Sequence, residues 1–172
     1  MAHLHLNRSR IYFAFKWAVC CAIFSITAFL TVNIIPQKPR YSDEDVEWLV
    51  RNIYFEARNQ SVTGQLAVLM VTLNRMQSGY FPSTVRGVVT QGGAKVKHKC
   101  QFSWYCDGKP DVITDRKSYE SIKSLVLQVL PVAHTIHDVT GGALFYHATY
   151  VRPLWAKQKE LTAKIEKHIF YK

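Results

Sequence analysis

Glu56 is the carboxylate in this chain whose setting best suits proton transfer. It follows Leu49 and Ile53 at helical spacing, so a turn of about 100° per residue sets it at the edge of an apolar helix face. Partial desolvation there disfavours the charged form and raises the carboxyl pKa, as a general acid working at neutral pH requires. The competing reading is an ion pair with Arg51 or Arg58, which would make Glu56 a structural residue. Position along the helix does not choose between the two. Asp43, Glu44, Asp45 and Glu47 need no such weighing, because acids in the first turns complement the helix dipole and solvate its start.

Other reactive groups are sparser. His134 and His137 have i, i+3 spacing and are suited to a shared helix face, but HExxH is absent and no third ligand clusters with them, so a packing or surface role is expected and no metal. Gly-x-Ser-x-Gly, P-loop and dinucleotide fingerprints are also absent, and no cofactor is expected. Trp104, Tyr105, Tyr146, Tyr150 and Trp155 fall outside the regular apolar stripes. Such rings stack on sugar faces or serve as ordinary core and rim.

The elements that position these groups follow from periodicity. Ser42 and the acids after it start a helix, and Val46, Leu49, Val50, Ile53, Tyr54 and Ala57 recur at three-four spacing. Residues 64–76 are apolar almost all round, the pattern of a helix buried mid-domain, with Gly79 as its stop. Phe81-Pro82-Ser83-Thr84 leads into a short helix through Val89, and residues 91–112 read as an irregular loop carrying Gln101-Phe102-Ser103-Trp104-Tyr105. A loop of that length in a small domain is usually functional. Helical spacing returns over Tyr119–Leu130 up to Pro131, Ala143–His147 is strand-like, and from Pro153 a polar, basic tail is expected, ending in His168-Ile169-Phe170-Tyr171.

Residues 17–35 form a 19-residue stretch without formal charge, close to the roughly 20 residues that cross a bilayer as helix. Arg8, Arg10 and Lys16 precede it, which favours a cytoplasmic N-terminus, and no small-x-small cleavage site follows. The expected organisation is a cytoplasmic basic N-terminus (1–16), an inner-membrane signal anchor (17–35), a linker (36–41) and a catalytic domain (42–172) outside the cytoplasm. There Cys100 and Cys106 are more often bridged than free, and a zinc site with His98 falls short of four ligands. The formal charge is +10, but residues 1–40 supply five cations and no acid, leaving +5 for the rest. That balance suits an anionic membrane or the carboxylate-rich cell wall. Nucleic acid is not expected: the densest basic run, Lys95–Lys99, is short and lies in a loop. No feature specifies an oligomeric state.

Several short motifs occur in order: Tyr54-Phe55-Glu56-Ala57-Arg58, Gly64–Val68 leading to Leu73-Asn74-Arg75, Phe81-Pro82 with Val88-Val89, Cys100-Gln101-Phe102-Ser103-Trp104, Gly142–His147, Pro153-Leu154-Trp155 and His168–Tyr171. The set resembles the SleB/CwlJ-type cell-wall hydrolases over nearly all of residues 45–171. The resemblance implies an α+β, mainly α, lysozyme-like catalytic domain with Glu56 as its single catalytic carboxyl. It also implies a glycan cleft bordered by Gln101, Ser103, Trp104, Tyr146 and His147, with peptidoglycan glycan strands as partner. A lytic transglycosylase needs only Glu56, whereas a hydrolytic muramidase would add a second carboxyl such as Asp107 or Asp111. An amidase drawing zinc ligands from His98, His134 and His147, or an anchored wall-binding module without turnover, are the alternatives. With the apparent anchor and no separate wall-binding repeat, the setting implied is a bacterial envelope enzyme or a phage lysis protein rather than a germination factor.

Overall fold

The computed structural model describes residues 41–93 and 100–172. The expected N-terminus, anchor, residues 36–40 of the linker and the Lys95–Lys99 run with His98 lie outside the described residues. Among the described residues no helix is long and apolar enough to cross a membrane.

Helix α1 (Asp43–Ala57) starts with a reciprocal capping box. The Asp45 backbone N–H donates to Ser42 Oγ, and the Ser42 backbone N–H donates to Asp45 Oδ2 at 2.9 Å, satisfying donors the helix leaves unpaired. Helix α2 (Val62–Gln77) is capped by Ser61. Gly79 stops it in the left-handed region at φ 74°, which glycine enters without steric cost. Its all-round apolarity has a cause. Val68, Leu69 and Leu73 pack into the main cluster with α1, with the short helix α3 (Val85–Val89) and with α4 (Arg116–Val129), while Ala67 and Val71 pack against Ala143 and Phe170. One helix therefore serves two cores.

The second core belongs to a three-stranded antiparallel sheet, β1 (Phe145–Ala148), β2 (Leu161–Ile165) and β3 (His168–Tyr171), in the order β1-β3-β2. The expected basic tail is thus a 3-10 turn (Leu154–Gln158) followed by a β-hairpin, and β3 is the central strand. Lys164 and Lys167 mask the pattern in composition, yet Ala163 and Ile165 pack on the second core on either side of exposed Lys164, the period of a half-buried strand, after a bulge between Leu161 and Ala163. His134 and His137 share no helix face, because α4 passes at Leu130 into a 3-10 turn containing Pro131 and the chain then continues as turn and coil. Glu47 does more than solvate a helix start: Tyr119 O–H donates to its carboxylate, tying α4 to α1.

A buried polar thread holds the loop to the helices. Trp104 Nε1–H donates to Asn52 Oδ1 (2.9 Å), Asn52 Nδ2 donates to Thr72 Oγ1 (3.3 Å), and the Thr72 hydroxyl donates to Val68 O (3.0 Å). Satisfied in this way, the buried groups do not incur the cost of unpaired ones.

Candidate active site

Glu56 lies in the last turn of α1, where the helix edge meets the sheet and the 3-10 turn Ser103–Cys106 of the long loop. The three elements enclose a cleft of about 650 Å³. Its lining includes Glu56 from α1, Gln101, Ser103 and Trp104 from the loop, and Tyr146 and His147 from β1.

Tyr146 O–H donates to Glu56 Oε2 at 2.9 Å. Burial raises the Glu56 pKa above the ordinary carboxyl value, against the opposing pull of that hydrogen bond and of the Arg75 charge. Burial and the Glu56 charge push the Tyr146 phenol well above its usual range, so it stays a donor. Arg75, buried in α2, is lowered by desolvation to about 10 and remains a cation at neutral pH. Its Nε donates to Leu144 O (2.7 Å), and its guanidinium lies over the rings of Phe81 and Phe102 at 5.2 and 4.9 Å. The ion pairs that would have made Glu56 structural are not formed. Arg51 donates to Asp111 O (3.0 Å) and Arg58 lies over the Tyr54 ring (5.0 Å).

The expected binding residues line this one cleft but differ in what they offer it. Ser103 is exposed and Gln101 half-buried. Trp104 is only 7% exposed, stacked on Phe55 at 4.7 Å and held by Asn52, so it is floor rather than a free stacking platform. His147 follows Tyr146 in the strand and projects to the opposite sheet face, stacked on Tyr171 with Nε2 at 3.0 Å from Tyr171 Oη. The free ring at the cleft is Tyr150, 85% exposed. Asp107 and Asp111 also line the cleft, and burial raises the Asp111 carboxyl.

Arg75 is the one charged residue in the apolar run 64–76, a signal for a buried cation with a task that the pattern of a buried mid-domain helix leaves unassigned. His168 is likewise unassigned; its ring packs beside Tyr146 at 4.8 Å, and its Nδ1 lies 3.1 Å from Gln60 Nε2.

Cys100 and Cys106 are disulfide-bonded, with Cα atoms 6.1 Å apart, and the bridge closes the segment holding Gln101, Ser103 and Trp104. Intact mass of protein secreted through an oxidising compartment should therefore rise by two hydrogen atoms on reduction; free thiols mapped to Cys100 and Cys106 before reduction would contradict the bridge.

A family model described as Cell Wall Hydrolase matches residues 59–171, beginning just after Glu56. The chain belongs to that family. Spore cortex-lytic enzymes from Bacillus cereus and from Bacillus subtilis strain 168 are 32% and 41% identical to it over 133 and 132 residues, covering 77% and 76% of this chain. Stretches of that length within 172 residues necessarily include Glu56. The chain spans less than half the length of these curated relatives, 46% and 38%. Among solved structures it is similar to the catalytic domain of the germination-specific lytic transglycosylase SleB from Bacillus anthracis, with 32% identity and a TM-score of 0.60 over 78% of this chain and 99% of that one. The Bacillus cereus SleB catalytic domain is similar at 31% identity and a TM-score of 0.59, over 80% and 94%. The cell wall hydrolase fold of this chain is therefore the lysozyme-like one, helical with a small sheet.

Proposed function

We propose that this cell wall hydrolase cleaves the MurNAc–GlcNAc glycosidic bond of peptidoglycan as a lytic transglycosylase, with Glu56 as its acid and base. The observation that carries the reading is the Glu56 carboxyl, raised by burial and anchored on one oxygen by the Tyr146 phenol, in the lining of the 650 Å³ cleft. With Oε2 engaged by Tyr146, the transferable proton sits on Oε1. It passes to the glycosidic oxygen as the C1–O bond breaks. The muramic C6 hydroxyl oxygen then bonds to C1 and returns its proton to the Glu56 carboxylate, giving a 1,6-anhydro end with no water consumed. Arg75 stabilises the carboxylate between the two transfers.

Asp107 and Asp111 in the cleft support a second reading, hydrolysis by a water that one of them orients. An amidase, which would draw its zinc ligands from His98, His134 and His147, is less well supported: His147 stacks on Tyr171 on the sheet face away from Glu56, and His134 lines a separate cavity beside Asp138, while His98 lies outside the described residues. Mass analysis of muropeptides from purified sacculi decides. Anhydro ends support the transglycosylase, reducing ends the muramidase, released stem peptides the amidase, and no products a wall-binding module.

The setting we propose is the periplasmic face of a bacterial inner membrane, in envelope remodelling or phage lysis, with residues 17–35 as a single-pass anchor. A chain beginning at Pro39 should then be soluble and keep its lytic activity, while the full chain sediments with membranes. Recovery of the full chain in the soluble fraction would remove the anchor from the reading.

A further inference from the structure

Beside the Glu56 cleft lies a second cavity of about 350 Å³, lined by Arg75, Gln101, Phe145, Tyr146, Trp155 and Lys159. Arg75, Gln101 and Tyr146 line both, so the two spaces adjoin. The smaller one has two cations and no acid in its lining. Lys159 Nζ sits 3.6 Å from the centroid of the Phe145 ring and takes part in no ion pair with a described residue. Arg75 is almost fully buried, yet only its Nε is hydrogen-bonded, and Nη1 has no acceptor. A buried guanidinium with an unsatisfied nitrogen is costly unless a partner arrives. Gln101 is hydrogen-bonded through its backbone, to Gln91 O, and its side-chain amide is left to the cavity.

Resting on the glycan-cleaving reading, we infer that this cavity is a subsite for a carboxylate carried by the muramic residue being cleaved. Glu56 acts at C1 of that sugar, and the lactyl group stands on C3 of the same ring, so it falls to a cavity that shares Arg75, Gln101 and Tyr146 with the cleft. Lys159 and Arg75 attract the anion, Gln101 donates to it, and Phe145 and Trp155 supply apolar walls beside the two charges. The carboxylate has two sources: the stem peptide, or the free lactyl group of a strand stripped of its stems.

The test compares the full chain with Lys159→Gln and Lys159→Arg on three glycan preparations: strands with stems, strands with stems enzymatically removed, and stem-free strands with the lactyl carboxyl converted to its neutral amide. Lys159 is a half-buried surface residue, so the variants should fold. Lys159→Gln is expected to raise KM about threefold to tenfold on strands bearing the recognised carboxylate, with kcat little changed. Lys159→Arg should restore the wild-type value, and on amidated strands all three proteins should agree. A loss confined to stem-bearing strands assigns the stem carboxylate, and one confined to stem-free strands assigns the lactyl group. Equal KM for wild type and Lys159→Gln on every preparation would overturn the subsite while leaving the glycosidase intact; failure of the wild type to cut any strand would overturn the Glu56 reading and the subsite with it.

Discussion

Glu56→Gln is expected to reduce glycan cleavage by about 10² to 10⁴-fold, the range for losing a general acid/base group, and toward its upper end because one carboxyl serves both proton transfers. Glutamine keeps the size and still accepts the Tyr146 hydrogen bond, so the loss is of the proton and not of the site's shape. Stability should move the other way. The folded-state pKa of Glu56 is raised, so the native protein holds this proton more tightly than the unfolded chain. That contribution is full below the unfolded carboxyl pKa and is lost as pH rises through the folded value. At neutral pH Glu56→Gln should therefore match or exceed the wild-type Tm, with the difference shrinking as pH falls. Wild-type cleavage should likewise decline as pH rises through that folded value, since the reaction begins from the protonated acid. A folded Glu56→Gln protein that releases muropeptides at the wild-type rate would falsify the assignment.

Arg75→Met should act on both stability and the pH profile. Methionine fills much of the space but leaves Leu144 O without its donor, and a hydrogen bond from a charged group is worth about 1.5–3 kcal/mol. Nη1 has no acceptor, so its removal costs nothing, and the ring contacts with Phe81 and Phe102 are only partly replaced. Leu144 immediately precedes β1, and a loosened β1 start reaches Tyr146 two residues on. The Arg75 charge also lowers the Glu56 pKa. Without it that pKa rises further, and the alkaline limb of the pH-rate profile should move to higher pH even as the rate falls. Denaturant titration and the pH-rate profile read the two effects separately. An unchanged alkaline limb in a folded Arg75→Met protein would mean that Arg75 does not sense the Glu56 charge.

What was legible in the sequence was local. The Ser42–Asp45 cap, the three-four spacing of α1, the apolar run of α2 and the glycine stop at Gly79 are written within one or two turns, because a helix's hydrogen bonds and faces are set by near neighbours. The same local geometry placed Glu56 at an apolar edge. The motif order added which family that carboxyl belongs to and which loop should meet it. The tertiary structure alone decided what surrounds it. Tyr146 reaches Glu56 across 90 residues, and Arg75 contacts Leu144 across 69, separations over which no periodicity carries information. Strand alternation, fixed by the pairing of β1 with β3, turned Tyr146 toward Glu56 and His147 away from it. The Asn52 bond drew Trp104 into the floor and left Tyr150 as the exposed ring. The basic C-terminal segment looked like a tail because a strand pairs through its backbone, and backbone pairing leaves its lysines in composition while hiding the partner that β3 needs.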